Sequence, residues 1–167
     1  PVVIPAIFNA YFVAVVAGDT PWATLAWTAA LAVSYLLVVL SAPVLGAFAD
    51  AYACKKKLLA VTTLGCAAFT AALGLAGPGQ LALALACLIL SNFFFSSGEN
   101  LIAAFLPEIA RADHLGRVSG WGWGLGYAGG MLTLGLCLAF VASAQARGLG
   151  AVDFVPGTLW ITATMFV

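Results

Sequence analysis

The amino-acid sequence predicts an all-α membrane protein, and three observations carry that prediction. Hydrophobic residues make up 64% of the 167 positions and charged ones only 7%, with a mean hydropathy of +1.12. A soluble domain carries about 25% charged residues, so six acidic and six basic side chains cannot cover a water-facing surface here. Apolar runs also recur at the length of a bilayer crossing, and the basic residues gather in alternate connectors. Runs of that length lack the two-residue alternation of a membrane β-barrel. Zero formal net charge speaks against a nucleic-acid partner, whose binders carry basic patches.

A membrane-spanning helix needs about 20 mainly apolar residues. The first such run covers 1–17 and the second 25–47. The third covers 58–76 and the fourth 81–106. The fifth covers 121–144, and the sixth, 158–167, is shorter. The intervening "GDTPWAT", "DAYACKKK", "GPGQ", "PEIARADHLGRVSG" and "QARGLGAVDFVPG" are rich in glycine, proline and charge, as connectors should be. The start lacks the charged segment and small-residue cleavage site of a signal peptide. Both ends lie inside hydrophobic stretches, so the chain is expected to be part of a longer one.

Lys55, Lys56 and Lys57 fall between the second and third runs, and Arg111 and Arg117 between the fourth and fifth. Only Arg147 lies in another connector. The positive-inside rule places the two basic connectors in the cytoplasm. Trp22, Trp27, Trp121 and Trp123 fall near span ends, where an interfacial aromatic belt explains them.

Polar groups inside spans are the candidates for chemistry, because a charge there is costly and usually faces a cavity or a partner. Asn92, Ser96 and Glu99 are spaced four and three apart on one face of the fourth span, with Asn100 beside them. They suit a water-filled substrate or proton path, a helix–helix hydrogen-bond network or, for Glu99, a place near the interface paired with an arginine. Asn9 in the first span, and Ser34, Tyr35 and Ser41 in the second, suit helix–helix hydrogen bonds. The third span has only threonines, which can bond their own backbone, and reads as lipid-facing.

Residues 120–130, "GWGWGLGYAGG", contain Gly124, Gly126 and Gly129 in the G-x-G-x-x-G spacing of a dinucleotide loop. That motif requires a preceding strand, and here a charged connector precedes an apolar helix. Read helically, Gly122, Gly126 and Gly130 recur every four residues, and small residues at that spacing allow close helix packing in lipid. No cofactor is expected. Cys54, Cys66, Cys87 and Cys137 form no C-x-x-C pair, and His114 is the single histidine; no metal site is expected.

Residues 46–57, "GAFADAYACKKK", give the strongest local signal. Asp50 at a basic span end does not help orientation, so it is expected to cap a helix N-terminus or to pair with a base elsewhere. The stretch resembles the signature of the major facilitator superfamily: glycine, three residues, aspartate, a basic residue, one residue, glycine, then a basic cluster. Gly46, Asp50, Lys55, Lys56 and Lys57 match it, while Ala51 and Ala53 stand where a basic residue and a glycine are usual. "VAGD", "LSAPVLGAFAD", "FLPEIA" and "GRVSGWGWGLGYAGG" further resemble the bacterial relatives of the autophagy-related vacuolar amino-acid effluxer.

The resemblance implies a bundle of about twelve helices in two halves, of which this chain is most of the N-terminal six-helix half. It implies that helices one and four line a cavity, two and five meet the other half, and three and six are peripheral. It makes Gly46, Asp50 and Lys55–Lys57 a cytoplasmic gate. The function implied is secondary transport of a small solute, amino acids among the possible cargoes, by a monomer in a bacterial cytoplasmic membrane. Its partners would be that solute, the lipid bilayer and the missing C-terminal half. A non-transporting scaffold or receptor on the same bundle is the alternative. No nucleophile–base or metal constellation suggests an enzyme.

Overall fold

A computed structural model describes residues 4–18, 20–111 and 114–167. The first three residues of the expected first span, Asp19 of the first connector, and Ala112 and Asp113 of the fourth lie outside these. Among the described residues the secondary structure is helical throughout. We number six helical segments. Segment α1, residues 4–16, has wide π turns at Ile4–Phe8 and Phe12–Val16 around a short α turn at Asn9–Tyr11. Then follow α2 (Ala23–Ala51), α3 (Lys55–Leu73), α4 (Leu81–Ile109), α5 (Leu115–Ala146) and α6 (Ala151–Phe166). Helices α2, α3, α4 and α5 are long and apolar enough to cross a membrane.

The fourth helix begins at Leu81 as expected and the third ends early, at Leu73, but most other boundaries move outward, for one physical reason. The apolar runs mark only the part in hydrocarbon, about 30 Å thick, whereas helical hydrogen bonding continues into water. The 32 residues of α5 extend about 48 Å at 1.5 Å per residue. Its first turns, with Arg117, therefore project beyond the apolar layer, and "GRVSG" is helix rather than connector. Asp50 likewise closes α2, and Lys55–Lys57 open α3. Pro107 does not end α4, which runs on through Glu108. Residues 151–157, expected in a connector, begin α6, where the Gly150 amide donates to the Asp153 carboxylate at 3.0 Å.

The main core lies at the end carrying the α1–α2, α3–α4 and α5–α6 connectors. Phe8, Tyr11, Phe12 and Trp27 form an aromatic cluster with ring centroids 5.4–6.5 Å apart. Leu73, Leu88, Phe154 and Leu159 pack into the same core. α4 packs against α2 and α3, and α6 against α3 and α5. The α3 threonines divide: Thr62 bonds the Leu59 carbonyl at 3.0 Å, but Thr70 reaches Ser91 of α4 at 2.7 Å. α3 is thus knitted to α4, with the ring of Phe94 seated on Gly65.

Among the described residues, the expected close packing is not present at Gly122 or Gly126 of α5. A Cβ at Gly122 or Gly126 would meet nothing within 4 Å, and Gly130 is half-buried. Only Cys137 and Ala144 of α5 are buried. Close approaches occur instead at Gly65, at Gly74 beside Trp160, and at Gly157 beside Phe140. Residues 120–129 of α5 are exposed, so among the described residues no neighbour lies against that glycine face.

Candidate functional site

At the opposite end, where the two basic connectors lie, α2 turns into α3 through residues 52–54. This turn repeats the hydrogen-bond pattern that closes α5. There Gly148 has φ +76°, and the Leu149 amide donates back to Ala144 at 3.1 Å. Here Ala53 has φ +47°, and the Cys54 amide donates to Ala49 at 3.2 Å. A left-handed residue just past a helix end satisfies the last carbonyls, and glycine does so without a Cβ penalty. Ala53 holds the conformation for which the resemblance led us to expect glycine.

The turn sets the first residue of α3 against the last turn of α2. Lys55 Nζ lies 2.8 Å from Asp50 Oδ1 and also donates to Glu108 Oε1 in the last turn of α4. Asp50 therefore pairs with a base, the second of its two expected roles; α3 has no side-chain cap. One ammonium ties three helices together. Both carboxylates are more than half exposed while Lys55 is 16% exposed. Solvent screens such pairs, so the cluster acts by fixing geometry more than by adding stability. Lys56 and Lys57 are exposed.

A cleft of about 90 Å³ opens beside this cluster between α2 and α4. Gly46, Asp50, Lys55, Ser97 and Asn100 line it, with alanines and leucines between them. Asn100, expected beside the polar stripe, is thus joined to the gate motif instead. The stripe itself divides. Asn92 Nδ2 donates to Ser34 Oγ at 3.1 Å, and Ser34 Oγ donates to the Ile89 carbonyl at 3.0 Å, so these residues bind α2 to α4. Ser96 is half-buried, and Glu99 is exposed with no hydrogen-bond or ion-pair partner among the described residues. Asn9 is half-buried between the two π turns of α1. Among the described residues no group of His, Cys, Asp and Glu could hold a metal ion.

Glu108 and Ser97 escaped the sequence reading. Pro107 made Glu108 look like connector, and Ser97 stands one residue off the stripe. The signal available for Glu108 was the one that singled out Asp50: an acidic residue at a basic span end.

Residues 24–167 match the family model described as "Vacuole effluxer Atg22 like". Over 117 residues, 70% of this chain, the sequence is 30% identical to a protein of Bacillus subtilis (strain 168) named "Uncharacterized MFS-type transporter YxiO". The matched stretch covers 27% of that relative's length. No solved structure matches.

Proposed function

We propose, from the premise that this chain belongs to the Atg22-like vacuole effluxer family, that it forms the N-terminal half of a major-facilitator-type transporter moving a small solute by alternating access. The chain is an integral, multi-pass, all-α membrane protein, and it is not read as an enzyme. The observation that carries the proposal is the Asp50–Lys55–Glu108 cluster. It ties the ends of α2, α3 and α4 together at the gate motif, which suits a half that rocks as one body against its counterpart. Ser96 and Glu99 on α4 and Asn9 on α1 are the substrate- or proton-path residues of this reading, with Asn100 at the inner mouth. Asn92 holds α2 to α4. The resemblance to the vacuolar amino-acid effluxer makes amino acids the first cargo to assay, and the bacterial relative makes a bacterial cytoplasmic membrane the location to assay it in.

The test is uptake by the full-length protein in proteoliposomes. Lys55→Gln removes the shared cation and should lower transport several-fold with insertion unchanged. Glu99→Gln keeps shape and polarity but removes titration, and should abolish the pH dependence of uptake. Normal transport by both variants at every pH would refute the roles given to Lys55 and Glu99, and absence of uptake by the wild-type protein would favour a non-transporting bundle.

A further inference from the structure

Ser97 is 3% exposed, and its Oγ has no hydrogen-bond partner among the described residues. A buried hydroxyl left in that state is costly, and each such group in a native fold calls for an explanation. Ser97 lines the cleft between α2 and α4, and so do three more polar side chains: Asp50, Lys55 and Asn100. The space, about 90 Å³, is several times the ~10–15 Å³ that one water needs.

The chemistry of the walls selects the occupant. A lysine ammonium has three donors, and Lys55 spends two on Asp50 and Glu108, leaving one. Asp50 retains its second carboxylate oxygen as an acceptor. Ser97 and Asn100 each both donate and accept. A bare cation entering the cleft would meet the Lys55 ammonium, and an anion would meet the Asp50 carboxylate. What fits is small, neutral, and both donor and acceptor. We infer that the α2–α4 cleft is an internal hydration site, in which ordered water anchored by Ser97 links that hydroxyl to Asn100 and to the Asp50–Lys55 pair. The cleft runs along α2 from Asp50 back to Ala42, about two helical turns. The site therefore draws water past the ion cluster into the span, and it stands whether or not the cluster gates transport.

Radiolytic hydroxyl labelling of the full-length protein in ¹⁸O water tests this, because radicals formed from bound water oxidise the side chains touching it. Leu101 borders the cleft and is 4% exposed, while Leu88 in the aromatic-end core is 1% exposed. Leu101 should take up ¹⁸O several-fold faster than Leu88. Ser97→Ala should bring that rate down towards the Leu88 value, and Ala104→Leu, which fills the cleft from an exposed position, should do the same where Ser97→Ala fails to fold. A wild-type Leu101 as inert as Leu88 would overturn the inference. So would labelling that survives both substitutions, or labelling that sodium suppresses and choline does not, which would make the site a cation site.

Discussion

Ala53 is the residue whose backbone and side chain disagree. Left-handed backbone costs a residue with a Cβ about 1–2 kcal/mol, and glycine returns part of that through its greater unfolded-state freedom, about 0.5–1 kcal/mol. Ala53→Gly should therefore stabilise the protein by about 0.5–1 kcal/mol, read as a rise in the thermal unfolding midpoint in detergent; no rise would mean the turn relaxes around the alanine. Glycines on packed faces behave oppositely. A Cβ at Gly65 would lie 2.9 Å from the Phe94 ring, which is itself stacked on Phe69 with centroids 5.7 Å apart. Overpacking of this kind costs about 1–3 kcal/mol, beyond the ~1 kcal/mol that alanine gains over glycine in a helix. Gly65→Ala should lower the unfolding midpoint, whereas Gly126→Ala in this chain should leave it unchanged or raise it. A Gly126 variant damaged only in the full-length protein would assign that glycine face to contacts with the rest of the molecule. Residue spacing foretold the αL turn only through the glycine that is missing from it. The Gly65 contact was not legible, since it depends on which face of α3 meets which ring of α4.

Among the elements, α4 is the one that joins α2 to α3, and its polar residues work in pairs with particular neighbours. Ser34 and Asn92 tie it to α2, and Ser91 and Thr70 tie it to α3. Hydrogen bonds of this kind between membrane helices couple by about 0.6 kcal/mol on average and up to ~1.7. A double-mutant cycle of Ser34→Ala and Asn92→Ala, read from reversible unfolding, should give a coupling in that range; zero coupling would show that the two side chains part in the bilayer. The helices themselves were legible from apolar run length, because a bilayer forces every backbone group to be satisfied within its own segment. Their ends were not, because Asp50, Glu108 and Arg117 are helical yet wet, and composition reports wetness. The Asn92–Ser96–Glu99 stripe was legible as a face, but helical spacing alone could not say that Asn92 is spent on Ser34 while Glu99 has no partner among the described residues.

For the whole molecule, the distribution of charge gives an orientation that labelling can check. Single cysteines introduced beside Lys56 and Arg117, in a background without Cys54, Cys66, Cys87 and Cys137, should react with impermeant reagents only from the cytoplasmic side. Cysteines beside Thr20 and Gly79 should react only from the opposite side, and the reverse pattern would invert the bundle. The family likeness was legible from the 46–57 stretch and the glycine-rich start of α5, since both are short, ordered motifs. The way α6 returns to α3 was not, because nothing local in either segment names the other. That return has a consequence for biosynthesis. Phe154, Val155 and Leu159 of α6 complete the core around Phe8, Phe12 and Leu73, and the Trp160 indole donates to the Ala71 carbonyl at 3.2 Å. Helices α2 to α4 can join as they leave the ribosome, each meeting a neighbour already made. Segment α1 and the outer face of α3 must wait, unsealed in the lipid, until the last of the six helices is translated and closes over both.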